Sequence, residues 1–142
     1  MKDKVFLDNN ILIYSFSIDK SEIIRNIIDT TPYLQISTQV LNEFINASLR
    51  KNILTISEVI EHCKKYISSY NLSLIFPSTI NYALEIKKKY KYSYYDSLIV
   101  STAIESDCEI LYTEDLQHNQ IIEDKLTIIN PFAYQILHYS AT

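Results

Sequence analysis

The sequence contains no glycine among its 142 residues, and this absence limits the possible folds more than any other feature. Loops that cradle phosphates, of the P-loop and dinucleotide-binding kinds, need glycines so that backbone N–H groups can approach the phosphate oxygens. The chain can build neither kind of loop. Its turns must be made with Asn, Asp, Ser or Pro, which tolerate turn geometry less freely than glycine does.

Length and composition indicate one globular domain over residues 1–142. The chain is long enough to bury a core, and its 47% apolar and 21% charged residues are typical of a soluble protein. The net charge of -4 argues against a basic surface that binds nucleic acid through phosphate contacts alone. A nuclease is still possible, because a bound metal ion changes the charge of an acidic site.

Cysteine use and the lack of a targeting segment favour the cytoplasm. Cys63 and Cys108 lie far apart and form no CxxC pair. We find neither a secretion signal nor a membrane span in the sequence, so we expect two free thiols in a reducing compartment.

Apolar runs of strand type alternate with segments of helical spacing along the chain. The five predicted strands are Lys4–Leu7, Tyr33–Ile36, Leu72–Phe76, Ile110–Tyr112 and Leu126–Ile129. Helices are predicted between them, with Ser21, Thr38, Thr55 and Ser78 or Thr79 as candidate N-caps, and a further short helix is predicted in the tail through Phe132 and Ile136. This alternation indicates a parallel sheet covered by helices on both faces.

Four acids are candidates for the site that an α/β fold of this kind forms just outside the carboxyl ends of its strands, two of them at strand ends and two on helices that could face the same edge. Asp8 follows the first strand directly, and Asp115 lies just past the fourth. Glu43 borders the apolar stripe of a helix, and Asp96 lies in the first turn of a helix that is apolar nearly all round. Each acid also has a simpler interpretation as a turn acid, a helix cap or a water-facing side chain.

Together the four acids match one chemical need, the binding of a hard divalent cation. Mg²⁺ and Mn²⁺ prefer oxygen ligands and are often held by a few carboxylates, while water and phosphate complete the coordination. The sequence has no HExxH motif and no Cys/His cluster, so zinc is not indicated. Spacing leaves open whether Glu114 or Asp115 turns inward, because pleat alternation does not extend into a loop.

Four segments resemble, in the same order, the motifs of the PIN-domain nucleases. They are Phe6–Leu12 (FLDNNIL), Ser37–Phe44 (STQVLNEF), Tyr95–Ile99 (YDSLI) and Leu111–Asp115 (LYTED). The resemblance runs from near the N-terminus to about Phe132. The size of the chain is similar to that of the VapC-like toxins of bacterial and archaeal toxin–antitoxin pairs.

The resemblance implies a three-layer α/β/α fold with a central parallel sheet of about five strands. It also implies that Asp8, Glu43, Asp96 and Asp115 are the catalytic and metal-binding acids, with Asn10 and Thr113 in support. Two positions depart from the family pattern. Asn9 stands where Thr or Ser is usual, which predicts weaker hydrogen bonding around the site. Asn119 stands where Gly is frequent, so a residue with a side chain must make that turn.

The function implied is a Mg²⁺- or Mn²⁺-dependent endoribonuclease, the toxin of a type II toxin–antitoxin system. The implied partners are an RNA substrate, a second copy of the chain, and a cognate antitoxin whose C-terminal segment lies over the four acids. No membrane is expected. Two alternatives stay open: a receiver-like Mg²⁺-binding signalling module, which would need an acid pair after the first strand, and a catalytically inactive interaction protein on the same fold.

Overall fold

A computed structural model describes residues 4–133 of the chain. The strands are β1 (Lys4–Leu7), β2 (Tyr33–Ser37), β3 (Asn71–Ser73), β4 (Ile110–Tyr112), β5 (Ile121–Ile122) and β6 (Leu126–Ile129). The helices are α1 (Asn9–Tyr14), α2 (Ser21–Thr30), α3 (Thr38–Arg50), α4 (Ile56–Ser69), α5 (Pro77–Tyr90) and α6 (Tyr94–Glu105). The predicted tail helix through Ile136 lies outside the described residues, so the single domain over 1–142 stays a prediction.

The six strands form one sheet in the order β3-β2-β1-β4-β6-β5. All neighbours are parallel except β5, which pairs antiparallel with β6 at the edge. The parallel sheet of five strands is therefore confirmed. The sequence prediction missed β5, because the two residues of Ile121–Ile122 are too few to show a strand period.

Helices cover the sheet on both faces. Val5, Phe6 and Leu7 are all buried although successive side chains of a strand point to opposite faces, so each face of β1 is covered. Helix α1 contacts α2 and α3, and α3 contacts α4, whereas α5 and α6 pack against each other. No helix within residues 4–133 combines the length and the apolar character that crossing a membrane requires.

The helix starts confirm one predicted cap and correct others. The Thr55 hydroxyl accepts from the backbone N–H of Glu58, whose carboxylate accepts in return from the N–H of Thr55, as the capping box predicts. Helix α3 is capped by Ser37 instead of Thr38. Helix α2 begins at Ser21 itself, after Lys20.

The largest local correction concerns the third strand and the helix that follows it. The strand ends at Ser73 instead of Phe76, and α5 begins at Pro77, with neither Ser78 nor Thr79 as its cap. Proline is favoured in the first helical position because its fixed φ suits a helix and its missing N–H would have no partner there. Pro77 therefore starts the helix as well as stopping the extended segment before it.

Residues with side chains occupy the left-handed turns that glycine usually takes. Positive φ angles occur at Asn52, Lys91, Asp107, Asn119, Glu123 and Asp124. Four of these six are Asn or Asp, as the glycine-free composition predicts, and Asn119 has φ 69°, at the turn that a residue with a side chain was expected to make. Lys91, which ends α5 with φ 66°, and Glu123 were not predicted for this conformation.

Candidate functional site

The site lies at the carboxyl ends of β1 and β4, where the winding of the sheet reverses. From β1 the chain proceeds outward through β2 and β3, and it then returns to β4 on the other side of β1. Such a switch point leaves a crevice at which α/β proteins bind their ligands. Asp8 follows β1 and Thr113 follows β4, and the Thr113 hydroxyl donates a hydrogen bond of 2.8 Å to Asp8 Oδ2.

Asp8 is the most buried of the acids, with 3% of its surface exposed. It is the N-cap of α1, since its Oδ1 accepts from the backbone N–H of Asn9 at 2.7 Å, and Oδ1 also lies 3.2 Å from Asn9 Nδ2. Burial raises the pKa of Asp8 from 3.8 to about 7, against the opposing effect of the bonds from Thr113 and Asn9. The negative charges of Asp115 and Glu43 add to that rise in pKa. Asp8 is thus both the cap of α1 and a buried acid whose charged form is disfavoured by its surroundings.

Glu43 reaches the same pocket from α3. Gln39, one turn earlier, donates to Glu43 Oε1 at 2.8 Å, and Asn9 donates to Oε2 at 2.5 Å. Half-burial raises the pKa of Glu43, the two amide bonds lower it, and the charges of Asp96 and Asp115 raise it further. The expectation of a helix acid beside an apolar stripe is met, and the carboxylate points toward Asn9 and not into open solvent.

Asp115, rather than Glu114, shares the pocket with Asp8. Asn10 Nδ2 donates to Asp115 Oδ2 at 3.1 Å, while the Glu114 carboxylate accepts from the Tyr14 hydroxyl. Burial raises the pKa of Asp115, followed by the charges of Asp96 and Glu114, and the bond from Asn10 lowers it. The loop after β4 therefore separates its two acids, and Asp115 is the one that faces the other carboxylates.

Asp96 approaches the pocket from the first turn of α6. Its backbone N–H bonds to the hydroxyl of Ser93, the N-cap residue, at 3.1 Å. The side chain is half-buried, and its negative charge raises the pKa of both Glu43 and Asp115. The four predicted acids thus form one electrostatically linked group, in which Asp8 and Asp96 each interact with Glu43 and Asp115, and we call this group the acidic pocket.

The acidic pocket has no basic partner among residues 4–133, where the one ion pair joins Lys89 to Glu123 elsewhere. Within the same residues no three Asp, Glu, His or Cys side chains stand in positions ready to hold a metal ion. The donor chemistry nevertheless fits Mg²⁺ or Mn²⁺, since it consists of carboxylate oxygens and includes a buried Asn10 Oδ1 without a hydrogen-bond partner.

Two residues of the pocket were not predicted to contribute in this way. Asn9 was expected to weaken the hydrogen bonding around the site, and that expectation is wrong, because its amide contacts Asp8 and Glu43 together. Gln39 was not singled out, although it stands four residues before Glu43, the spacing at which helical side chains meet. The i, i+4 spacing could have identified Gln39 from the sequence, whereas nothing in the sequence indicated that Asn9 contacts two acids.

Comparisons with known proteins agree on the fold. A toxin–antitoxin complex from Klebsiella pneumoniae superposes with a TM-score of 0.70 at 19% identity, covering 90% of this chain and 98% of that one. VapC20 of Mycobacterium tuberculosis, described as a Sarcin-Ricin loop cleaving toxin, gives 0.68 at 13% identity, with 79% and 90% covered. VapBC2 of Rickettsia felis, bound to a promoter DNA fragment, gives 0.58 at 18% identity, with 89% and 98% covered.

Sequence comparison assigns the family. No curated protein matches the chain. The profile of the PIN domain matches residues 5–123, which is most of the sequence and includes all four acids. The resemblance found in the four motifs is therefore confirmed, and the chain belongs to the PIN domain family.

Proposed function

We propose that this PIN-domain protein is a Mg²⁺- or Mn²⁺-dependent endoribonuclease and the toxin of a type II toxin–antitoxin pair. One observation carries the proposal: four acids converge at the switch point of the sheet, namely Asp8, Glu43, Asp96 and Asp115. Among residues 4–133 no Lys, Arg or His forms an ion pair with any of them. Gathering like charges costs free energy unless a cation compensates them. A hard divalent cation is the compensation that such oxygen ligands favour.

The residues divide into ligands and supports. Asp8, Asp96 and Asp115 would hold the cation, and Glu43 would either bind it or orient a water molecule. A bound divalent cation supplies two effects, a lowered pKa of its water and compensation of charge developing on the phosphate. Thr113 holds Asp8 in place through its hydroxyl. The expected products of such hydrolysis carry a 5′-phosphate and a 3′-hydroxyl.

Basic residues near the first turn of α6 are candidates for contacts with RNA phosphates. Lys87, Lys88 and Lys89 lie in the last turn of α5, and Lys91 follows it. Only a short connection separates them from α6, whose first turn carries Asp96. Lys89 is already paired with Glu123, so Lys88 and Lys91 are the better candidates. Arg50, at the end of α3, is a further candidate.

We propose a cognate antitoxin as the protein partner, with homodimer formation and a cytoplasmic setting. Two of the similar folds come from a toxin–antitoxin complex and from VapBC2 on promoter DNA, which supports such a partner. A pocket of uncompensated carboxylates would accept an Arg side chain from the partner, since guanidinium groups pair with carboxylates in two parallel hydrogen bonds. Covering the pocket in this way would block its access to RNA.

The strand order argues against the receiver-like alternative. Receiver domains have the order 2-1-3-4-5, in which the first strand lies between the second and third. Here β1 lies between β2 and β4, and β3 lies outside β2. Asp8 also lacks the acidic neighbour that such a domain needs. An inactive interaction protein on the PIN fold is the remaining alternative, and a cleavage assay separates it from a nuclease.

The direct test is Asp96→Asn, which removes one charge from the half-buried acid with little change of shape. We expect the rate of Mg²⁺-dependent RNA cleavage to fall by about 10²-fold or more. A bound metal ion that stabilises the negative charge of the transition state contributes several kcal/mol to such reactions. End-mapping of total RNA and cleavage of purified RNA, each with and without EDTA, measure the effect. Undiminished cleavage in a folded Asp96→Asn protein would reject the site.

Asp107→Asn is the matched control. Asp107 is exposed, directly follows the C-cap of α6, and has a positive φ that Asn also tolerates. The same chemical change at the far end of the same helix is expected to leave cleavage unchanged. If wild type cleaves no RNA with either metal while it stays folded, the inactive interaction protein replaces the nuclease.

A further inference from the structure

A cleft of about 470 Å³ opens beside the acidic pocket, between α3 and the first turn of α6. This volume lies within the range of about 300–1,000 Å³ that small-molecule sites occupy. Glu43 lines the cleft and belongs to the acidic pocket as well, so the two are continuous. A ligand group in the cleft would lie directly next to whatever the acidic pocket holds.

The lining of the cleft suits a flat, uncharged group that forms hydrogen bonds. Asn42 and Asn46 stand one helical turn apart on α3 and expose their amides. Ile75 and Leu98 add apolar surface, and no Lys or Arg is among the described residues that line the cleft. A phosphate would meet no cation there and would be repelled by the carboxylate of Glu43, whereas a nucleobase carries no charge and presents a polar edge.

An aromatic side chain stands at the same cleft. Tyr95 lines it with 66% of its surface exposed, although large aromatic rings usually bury most of their area. Unpaired bases of single-stranded RNA are commonly recognised by stacking on such rings while amides bond their polar edges. Tyr95 directly precedes Asp96, so the ring and a carboxylate of the acidic pocket lie on one helical turn.

Gln39 provides an independent sign of a missing ligand. Only 6% of its surface is exposed, and its Nε2 donates both to Glu43 Oε1 at 2.8 Å and to the Tyr95 carbonyl at 3.1 Å. These two acceptors fix the orientation of the amide, and its Oε1 is left buried without a hydrogen-bond partner. Such an acceptor is costly unless a donor reaches it. A ring N–H or an exocyclic amino group of a base is a donor of the required kind.

We propose that this cleft binds an unstacked nucleobase of the RNA substrate, next to the phosphate at the acidic pocket, with Tyr95 as the stacking surface. The inference rests on the proposed ribonuclease function and adds a substrate-recognition site to it. Asn42 and Asn46 bond the polar edge of the base. Gln39 accepts a hydrogen bond from a donor group of the base and connects the base to Glu43.

Nucleotide binding tests this site without any cleavage. The probes are AMP, UMP and ribose 5-phosphate, titrated into the isotope-labelled protein while the side-chain amide signals are followed by NMR. We expect AMP and UMP to shift the NH₂ signals of Gln39, Asn42 and Asn46, and ribose 5-phosphate to leave them unmoved. Equal shifts with ribose 5-phosphate overturn base recognition, and a Gln39 NH₂ signal that stays unmoved with both nucleotides overturns the role of Gln39.

Variants of Tyr95 test the stacking. Tyr95→Ala is expected to weaken AMP binding about 5- to 150-fold, the range that base–aromatic stacking supports, whereas Tyr95→Phe keeps the ring and the affinity. Tyr33→Ala is the control, since Tyr33 is exposed at the opposite, amino end of β2. Unchanged AMP binding in folded Tyr95→Ala overturns the proposal. If no nucleotide shifts the side-chain amide signals, the proposal is overturned as well, and a polypeptide partner becomes the candidate ligand of the cleft.

The outcomes separate this inference from the function on which it rests. AMP binding as expected, in a protein that cleaves no RNA, supports the base site and rejects the nuclease. RNA cleavage that depends on Asp96, without base-dependent shifts in the cleft, supports the nuclease and rejects the base site.

Discussion

Carboxylates meet opposite environments in two regions of this molecule. Glu123, near β5, accepts from Lys89 Nζ at 2.7 Å and from the Tyr90 hydroxyl at 3.2 Å, and these contacts lower its pKa. Asp8 and Glu43, in the acidic pocket, receive amide and hydroxyl hydrogen bonds but no cation, and burial raises the pKa of both. Both regions supply hydrogen bonds, and they differ in two respects: Glu123 has a cation beside it and lies nearer the surface, whereas Asp8 has no cation and is buried.

The difference shows that hydrogen bonding alone does not settle the charge of the acidic pocket. Asp8 accepts bonds from Thr113 and Asn9, and its pKa still rises to about 7. A region that serves only stability would be expected to pair its acids, as Glu123 is paired. An acidic pocket left uncompensated among residues 4–133 is typical of a functional site that awaits a charged ligand.

The largest expected effect concerns the pH dependence of stability in metal-free protein. A folded-state pKa of about 7 for Asp8, against 3.8 when unfolded, means that the native state retains a proton that the unfolded chain has lost. Stability therefore falls as pH rises from about 4 to about 7 and stays low above that. Asp8→Asn removes this loss and stabilises the protein at pH 8 by up to about 4 kcal/mol.

Urea unfolding in EDTA at pH 5 and pH 8 measures this effect. Glu123→Gln is the control from the compensated region: the pKa of Glu123 is lowered from 4.5, so its contribution to stability changes only below about pH 4.5, and this variant should keep the wild-type difference between pH 5 and pH 8. A wild-type stability that is constant or rises between pH 5 and pH 8 would contradict the environment described for Asp8.

A smaller effect is expected from breaking the compensated pair. Lys89→Gln removes the cation beside Glu123, so the pKa of Glu123 should rise toward its ordinary value of 4.5. The change in overall stability should be slight, because the pair is exposed and screened by solvent. Carbon-detected NMR titration of the Glu123 carboxyl gives the pKa. A value unchanged by Lys89→Gln would show that Tyr90 and not Lys89 lowers it.

The sequence indicated the four acids, and the family resemblance added Asn10 and Thr113, but neither pointed to the contacts of Asn9 and Gln39. Asp8 and Asp115 were found because they follow apolar strands, and Asp96 because it shares the face of an apolar helix. The choice between Glu114 and Asp115 depends on a loop in which no period operates, and only the contacts of Asn10 and Tyr14 decide it. Local patterns place residues on elements, and they do not show which elements meet.

The errors in the fold have similar physical origins. Strand β5 has two residues, fewer than an alternation needs in order to be recognised. The start of α5 was misplaced because Pro77 both stops an extended segment and begins a helix. Lys91 and Glu123 have left-handed backbone angles, which Gly or Asn adopts more readily. The tertiary context of this glycine-free chain sets these angles despite the preference of Lys and Glu for negative φ.

Calorimetric titration with Mn²⁺ tests the central claim most directly, since it asks whether the acidic pocket binds a hard cation. We predict saturable binding to wild type and to Asp107→Asn, with proton release and tighter binding at pH 8 than at pH 6, because ligand carboxylates must be ionised. Asp8→Asn and Asp96→Asn should lose this binding while staying folded. The absence of Mn²⁺ binding by folded wild type, or equal affinity in all four proteins, would contradict the account.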